Sequence, residues 1–278
     1  MTISTWKILC YSLFISVQLI LVQSFLPSQP NSKVNHTHRS ITINAVRIIA
    51  ANWMNANPII ANPIQIPIAY EDPTDEYTMI NMYFGDNSKM HSSKYLKNAA
   101  EDMGSANAHV DYPHLLDLST HGNPDYHFDA ERFYQSNSKI VENKVAAINF
   151  INKEQFDAAI ESTGKALHIL QDFYSHSNWV ELGMNSINFD LGTNGASFLV
   201  APLDQPTCID STTDGVCTNN IYSAVINAKY LTSGYFTGPW YWAGTESDDS
   251  GNKFPKPEGK QKCSHGGKWD KSSSISAT

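Results

Sequence analysis

Three residues stand out for the chemistry their types and spacing allow: His168, Asp172 and His176, in the run His168-Ile-Leu-Gln-Asp172-Phe-Tyr-Ser-His176. They are spaced i, i+4, i+8. On a helix each step of four turns about 400°, so the three side chains drift only about 40° per step and share one stripe. A carboxylate between two imidazoles suits a borderline cation such as zinc, which takes neutral imidazole nitrogen and ionised carboxylate oxygen. One carboxylate can also bridge two ions, the arrangement used to activate water for hydrolysis. A hydrogen-bonded polar cluster on a wet helix face is the competing reading of the same spacing.

One helix cannot close a metal site, and the preceding segment offers more donors. Asp111, His114, His121, Asp125, His127 and Asp129 fall within 19 residues, just before two long helical stretches. Seven of the ten histidines lie in 109–127, in 168–176 or at His38, so donors are concentrated rather than scattered. Some of these loop residues are expected to be ordinary solvated turn residues. His38, in Thr37-His38-Arg39-Ser40, sits at an expected helix start; alone it reads as a surface histidine, and beside a cluster it becomes a ligand. Ser175, Ser177 and Asn178 add polar groups at the same helix end. No Gly-rich phosphate loop, serine nucleophile elbow or redox cysteine pair is present in the sequence.

The elements that must carry these residues are mainly helical. Ser40 is expected to cap a helix through Ile41, Ala45, Ile48 and Ile49, whose spacing is helical. Pro58, Pro63, Pro67 and Pro73 make 57–75 a loop. A helix is expected over 90–108, and a polar loop over 109–128. A long helix over 129–152 would bury Phe133, Ile140, Val145, Ile148 and Ile151. The next, from Glu154 to about Trp179, would bury Phe156, Ile160, Ala166, Leu167, Leu170 and Phe173. From about 190 onward Gly, Asn, Thr, Ser and Pro dominate, and an irregular tail follows.

The N-terminus bears on the compartment. Lys7 precedes an apolar run of ~15 residues, Ile8 to Val22, too short for a membrane span and interrupted by Gln18. With Val22-Gln23-Ser24 as a cleavage region, residues 1–24 read as a secretory signal peptide. Cys10 would leave with it, and Cys208, Cys217 and Cys263 would remain. Cys208 and Cys217 could then close a short loop, with Cys263 left over. Asn35-His36-Thr37 is a glycosylation sequon suited to a secreted surface segment. The net charge of −8 argues against binding nucleic acid through its phosphate backbone, which needs clustered Lys and Arg. With 41% apolar and 17% charged residues in 278, the chain can bury a sizeable core.

Gly164-Lys-Ala-Leu-His168-Ile-Leu-Gln-Asp172-Phe-Tyr-Ser-His176-Ser-Asn-Trp-Val-Glu181-Leu-Gly183 resembles the N-terminal region of von Willebrand factor A domain-containing protein 7-like proteins, relatives of fungal Het-C. Pro124-Asp-Tyr-His127-Phe-Asp-Ala-Glu131-Arg132, Leu231-Thr-Ser-Gly-Tyr-Phe236 and Gly259-Lys-Gln-Lys-Cys263-Ser-His265-Gly-Gly267 carry the same resemblance, which spans about 36–274. More distantly the chain is similar to the zinc-dependent phospholipase C and single-strand nuclease superfamily. That similarity implies a mainly α helical bundle of the phospholipase C type, followed by an irregular, loop-rich C-terminal extension. It implies zinc, more than one ion, on His38, Asp111, His127, His168, Asp172 and His176, with Asp172 as the bridging carboxylate. A mature α-amino group, here that of Phe25, would be a further ligand. The superfamily's second motif, His-x-x-x-Glu, has no counterpart here; Glu181 or His265 would have to serve. Relatives carry a cysteine where Ser211 stands.

The resulting expectation is a signal peptide over 1–24, a helical Het-C-like domain over 25–190 and a Cys-containing extension over 191–278, cut before a von Willebrand factor A domain. Function follows one of two lines. One is a secreted metal-dependent hydrolase of phosphoesters or phospholipids, with Asp111 orienting or deprotonating the attacking water. The other is a non-catalytic extracellular module for adhesion or interaction, with a structural or vestigial metal. The partner is accordingly an extracellular protein or a phosphoester or lipid ligand, with no transmembrane segment once the signal is removed.

Overall fold

The computed structural model describes residues 36–112, 120–209, 220–237 and 245–265. The signal segment, the sequon at Asn35, His114, Ser211 and Cys217 lie outside the described residues. Six α-helices are present among those described: α1 (His38–Ala56), α2 (Glu76–Phe84), α3 (Lys94–Ala108), α4 (Phe133–Asn152), α5 (Phe156–His176) and α6 (Ser223–Ala228). The described residues contain isolated β-bridges but no extended strands, so the chain is mainly helical. No described helix is long and apolar enough to cross a membrane. The chain divides into two compact units, Met1–His109 with Asn143–Leu167, and Val110–Glu142 with His168–Thr278.

In the first unit, α1 begins earlier than Ser40 suggests. Thr37 is the N-cap, its hydroxyl accepting from the Ser40 amide at 3.0 Å, and the Ser40 hydroxyl accepts from the Thr37 amide at 2.8 Å. Ser40 is therefore the third residue of a capping box, which satisfies two donors at the helix start. α1 packs on α3, where Gly104 permits close approach: a Cβ there would lie 3.0 Å from the Arg39 carbonyl and from Ile43. Asn107 Nδ2 donates to Thr42 Oγ1 at 2.7 Å, pairing two buried polar groups across the same contact. Gly164 of α5 lies against α3; a Cβ on it would stand 2.6 Å from Ala106 Cβ. One core cluster of this unit is Ala50, Ala51, Met54, Ile66, Met79 and Ile80.

α2 was not anticipated from the apolar pattern. Its signal is local: Asp75 caps it, the carboxylate accepting from the Thr78 amide at 3.0 Å. Arg47 of α1 then grips Glu76 at 2.8 Å. Residues 57–75 form the expected irregular segment and 94–108 the expected helix.

In the second unit, α4 starts at Phe133 rather than 129, because Phe128, Ala130 and Glu131 all have positive φ, at 57°, 53° and 58°. That left-handed conformation is costly for residues with a Cβ and cannot begin an α-helix. α5 ends at His176 rather than Trp179. In the parts of α4 and α5 that belong to the first unit, Val145 and Phe156, expected in buried stripes, are exposed, whereas Ala147 and Ala159 are buried. Phe128, Phe133 and Phe173 form an aromatic core with centroids 5.2–6.2 Å apart, which fixes the C-terminal part of α5 beneath the 127–132 turn. Among the described residues after 190 the chain is irregular, as its composition predicts, apart from α6 and single bridges such as Ser177 with Ser233 and Tyr235 with Ser264.

The cysteine pairing differs from the expectation. Cys208 pairs with Cys263, 55 residues away, and not with Cys217. Cys263 is therefore not left over. Closing so long a loop removes on the order of 4 kcal/mol of unfolded-state entropy, against ~3 kcal/mol for a short loop.

Candidate metal centre

Three side chains of the second unit converge on Asp172. Asp172 and His168 come from α5, one turn apart, which is why the i, i+4 spacing matters. His127 follows the short 3-10 turn Pro124–Tyr126, and Asp111 ends another, His109–Asp111. Asp172 Oδ2 lies 3.0 Å from His127 Nδ1 and 2.9 Å from His168 Nε2. Those two ring nitrogens are themselves 3.2 Å apart. Asp111 Oδ1 is 3.5 Å from His168 Nε2 and 3.8 Å from His127 Nδ1. His168 and Asp172 are fully buried and His127 nearly so, while Asp111 is 22% exposed and forms the open side.

The tautomer of His127 follows from its other nitrogen. Nε2 lies 3.1 Å from the Thr120 carbonyl, which can only accept, so Nε2 carries the proton and donates. In the neutral ring Nδ1 then presents a lone pair toward Asp172, Asp111 and His168. Lone pairs and carboxylate oxygens facing one another this closely need positive charge among them, a proton or a cation. A backbone carbonyl orienting an imidazole from behind is the usual support of a metal ligand. The donor set therefore fits a divalent cation.

A second group adjoins the first. His176 Nδ1 is 3.2 Å from Asp129 Oδ1, and His265 Nε2 is 3.7 Å from Asp129 Oδ2. The His176 and His265 rings meet edge to face with centroids 4.4 Å apart. His176 Nε2 faces Asp172 Oδ1 at 3.9 Å. Asp129 comes from the left-handed turn after His127, and such backbone strain of order 1 kcal/mol or more per residue persists only where packing over-determines it. The Ala130 amide donates to the Gly234 carbonyl at 2.8 Å and the Glu131 amide to Ser233 Oγ at 2.8 Å, which holds that turn open.

The electrostatics suit metal-free and metal-bound states differently. Burial lowers the His176 pKa, but Asp172 and Asp129 outweigh it and push the group up to about 10. His127 behaves alike: burial opposes its charge, yet the Asp172 hydrogen bond and charge, with Asp111 and Asp129, leave it above 6.5. Burial raises Asp129, but His265 and His176 hold it below the ordinary 3.8. For His176 the folded pKa exceeds the ordinary 6.5, so its stabilisation is complete below that value and disappears as pH rises through about 10. A cation needs the imidazoles neutral, so its affinity moves the opposite way. The chelated protein is expected to lose melting temperature from pH 7 to 10, while the zinc-saturated protein holds its own. Zinc binding at pH 7 should release protons, seen as a calorimetric heat that varies with buffer ionisation enthalpy. A chelated protein that gains stability over that range would contradict the protonated pairs.

Of the residues anticipated from sequence, Asp111, His127, His168, Asp172 and His176 come together in this unit. His38 is buried in the first turn of α1. Asp125 is not a ligand: Arg132 clamps it, Nη2 to Oδ2 at 2.9 Å, and the guanidinium stacks over Phe254 at 4.0 Å. Glu181 is exposed and belongs to neither group, whereas His265, the other substitute considered, is in the second. Asp129 was one donor among many in its loop; only the turn geometry singles it out. Thr120 carries no sequence signal at all, since it acts through its backbone.

These features define a mainly helical protein with a buried His/carboxylate cluster able to hold a divalent metal. The chain belongs to the VWA7 N-terminal domain family, which matches residues 77–278. It is 37% identical over 194 residues to the von Willebrand factor A domain-containing protein 7 of Rattus norvegicus, covering 69% of this chain and 18% of that protein. The Homo sapiens protein of the same name is 32% identical over 240 residues, covering 86% of this chain and 24% of that protein. The chain thus spans a quarter or less of these relatives. No solved structure matches it. The Cys208–Cys263 disulfide is compatible with an extracellular protein.

Proposed function

We propose that this protein is secreted and that its Asp172-centred cluster holds zinc for hydrolysis of phosphoesters or phospholipids. The observation that carries this reading is the approach of two imidazole nitrogens, at 2.9 and 3.0 Å, to one oxygen of a fully buried carboxylate, with Asp111 alongside on the exposed side. Zinc held there would supply Lewis acidity, polarising a phosphoryl oxygen and lowering the pKa of water toward neutrality. His127 and His168 orient the site, Asp172 balances its charge, and Asp111 is the general base that receives a proton at Oδ1. His38, and the α-amino group of Phe25 after signal cleavage, are proposed as further ligands on the resemblance to the zinc-dependent phospholipase C superfamily. Secretion draws support from Lys7, the Ile8–Val22 run and the disulfide.

The near-complete burial of His168 and His127 favours a second reading, a structural metal in an extracellular interaction module, since structural sites are closed to solvent. Zinc analysis of the secreted protein, coupled to phosphodiester and phospholipid hydrolysis, separates the two. Hydrolysis that disappears on chelation and in His168→Ala supports the hydrolase. Bound zinc without hydrolysis supports the structural role. Hydrolysis that survives both treatments rejects the metal mechanism.

A further inference from the structure

We infer that Tyr70 is a site of O-sulfation by a tyrosine sulfotransferase of the secretory pathway, an inference that rests on the secretion proposed above and on no metal. The chain carries no Lys, Arg or His from residue 48 to residue 88, a stretch that holds Glu71, Asp72, Asp75, Glu76 and Asp86. Tyr70 and Tyr77 bracket four of those five carboxylates. An enzyme that binds an anionic nucleotide donor has a cationic site. Such a site attracts an acceptor flanked by carboxylates and repels one flanked by lysines. Tyr95 is 80% exposed but stands between Lys94 and Lys97. The Tyr134 hydroxyl is engaged, donating to the Phe198 carbonyl at 2.9 Å.

Spacing along the chain does not separate Tyr70 from Tyr77, but local structure does. Tyr77 is the second residue of α2 and 69% exposed, yet the carboxylates before it are occupied. Asp75 caps the helix, accepting from the Thr78 amide and hydroxyl at 3.0 and 2.7 Å. Glu76 is buried and held by Arg47 at 2.8 and 3.2 Å. A transferase could lay this segment along its groove only by unwinding the first turn of α2. Tyr70 instead sits near the tip of a loop that the Thr74 hydroxyl closes by donating to the Pro67 carbonyl at 2.9 Å. Asn55 fixes the stem: Oδ1 accepts from the Ile66 amide at 2.8 Å and Nδ2 donates to the Ile66 carbonyl at 2.9 Å. Tyr70 is 48% exposed, and Glu71 and Asp72 beside it are exposed too. The Tyr70 hydroxyl has no hydrogen-bond partner, and the two carboxylates no ion pair, among the described residues. Exposed loop tips are where processing enzymes reach a folded chain.

In the transfer the phenolic oxygen of Tyr70 attacks the sulfur of a nucleotide donor that holds sulfate in a mixed anhydride with phosphate. The S–O bond to the phosphate breaks, and the nucleotide phosphate leaves with the electron pair. The phenolic proton passes to a base of the transferase, and nothing is oxidised or reduced. The product is an aryl sulfate that stays negative throughout the physiological pH range. Next to Glu71 and Asp72 it makes a loop tip of three adjacent negative charges, suited to arginine on a partner surface.

The test is peptide mapping by mass spectrometry, at an accuracy that separates sulfate from phosphate, of the whole chain expressed in mammalian cells. Wild type, Tyr70→Phe and Tyr77→Phe are compared; each variant keeps the ring and loses one exposed hydroxyl, so folding is retained. The expected result is one sulfate on the peptide that contains Tyr70, resistant to phosphatase, lost in Tyr70→Phe and kept in Tyr77→Phe. A secreted chain without sulfate, a sulfate that persists in Tyr70→Phe, or a phosphatase-sensitive group overturns the inference. If the chain stays inside the cell, the secretion reading fails by itself. The purified chain is then incubated with Golgi sulfotransferase and the sulfate donor. Transfer to Tyr70 there supports the site, and none overturns it.

Discussion

Asp172→Asn is expected to remove most of the stabilisation that zinc gives through the Asp172-centred cluster. The substitution keeps the shape and removes the charge. Asp172 Oδ2 touches His127 Nδ1 and His168 Nε2 at 3.0 and 2.9 Å, and Oδ1 faces His176, so every imidazole of the α5 stripe and its neighbouring turn depends on this carboxylate. On the proposed zinc reading, free zinc at one hundred times its Kd would raise the stability of the wild type by about 2.7 kcal/mol. Loss of a direct ligand should weaken binding by at least ~100-fold, more than the loss of a group supporting one from behind, so that most of this increment disappears. The variant also removes the largest charge holding His176 protonated, and the His176 pKa should fall from about 10, an effect visible by NMR titration of the metal-free protein. A purely structural Asp172 would lower the melting temperature of the metal-free protein while leaving zinc without effect on either form. An Asp172→Asn protein stabilised by zinc as strongly as the wild type would refute the metal role.

Lys262→Ala is expected to be the most destabilising single change away from the cluster. Lys262 has no exposed side-chain surface, and its ammonium donates to Glu131 at 2.9 and 3.1 Å and to the Pro202 carbonyl at 2.8 Å. Glu131 also accepts from Thr232 Oγ1 at 2.6 Å and from Tyr235 Oη at 3.2 Å. Removing the lysine leaves a buried carboxylate without its counter-charge, which costs ~3–5 kcal/mol. For a chain of this size that lowers the melting temperature by roughly 6–20 °C. Replacing both partners, Lys262→Met with Glu131→Gln, should recover much of the loss, because two apolar or neutral groups avoid desolvating charge. Thermal unfolding measures both; a Lys262→Ala protein within about 1 kcal/mol of wild type, on the scale of a surface pair, would show that the pair contributes little. The position matters for the site because Glu131 follows Asp129 by two residues and Lys262 precedes His265 by three. The pair ties the two segments that carry Asp129 and His265.

Some of this was legible before any fold was known, and the reason is geometric. Helical periodicity is local: four residues bring two side chains onto one face whatever surrounds them, so His168, Asp172 and His176 could be read as a stripe from spacing alone. The mainly helical character and the irregular stretch after residue 190 followed from composition and apolar period in the same way. The loop donors were visible as a crowd, but not which of them mattered. Asp125 and Asp129 look alike in sequence. Arg132 claims the first, and positive φ at Phe128, Ala130 and Glu131 turns the second toward His176. Cys263 read as a leftover because pairing across 55 residues has no local signature. Lys262 was equally silent, since its role depends on a distant segment brought alongside Glu131, and His265 could be named only as one of two alternatives. The sequence by itself determined which helix face carries the donors. Only the tertiary structure decided which loop residues complete it, because that choice rests on long-range packing rather than on spacing along the chain.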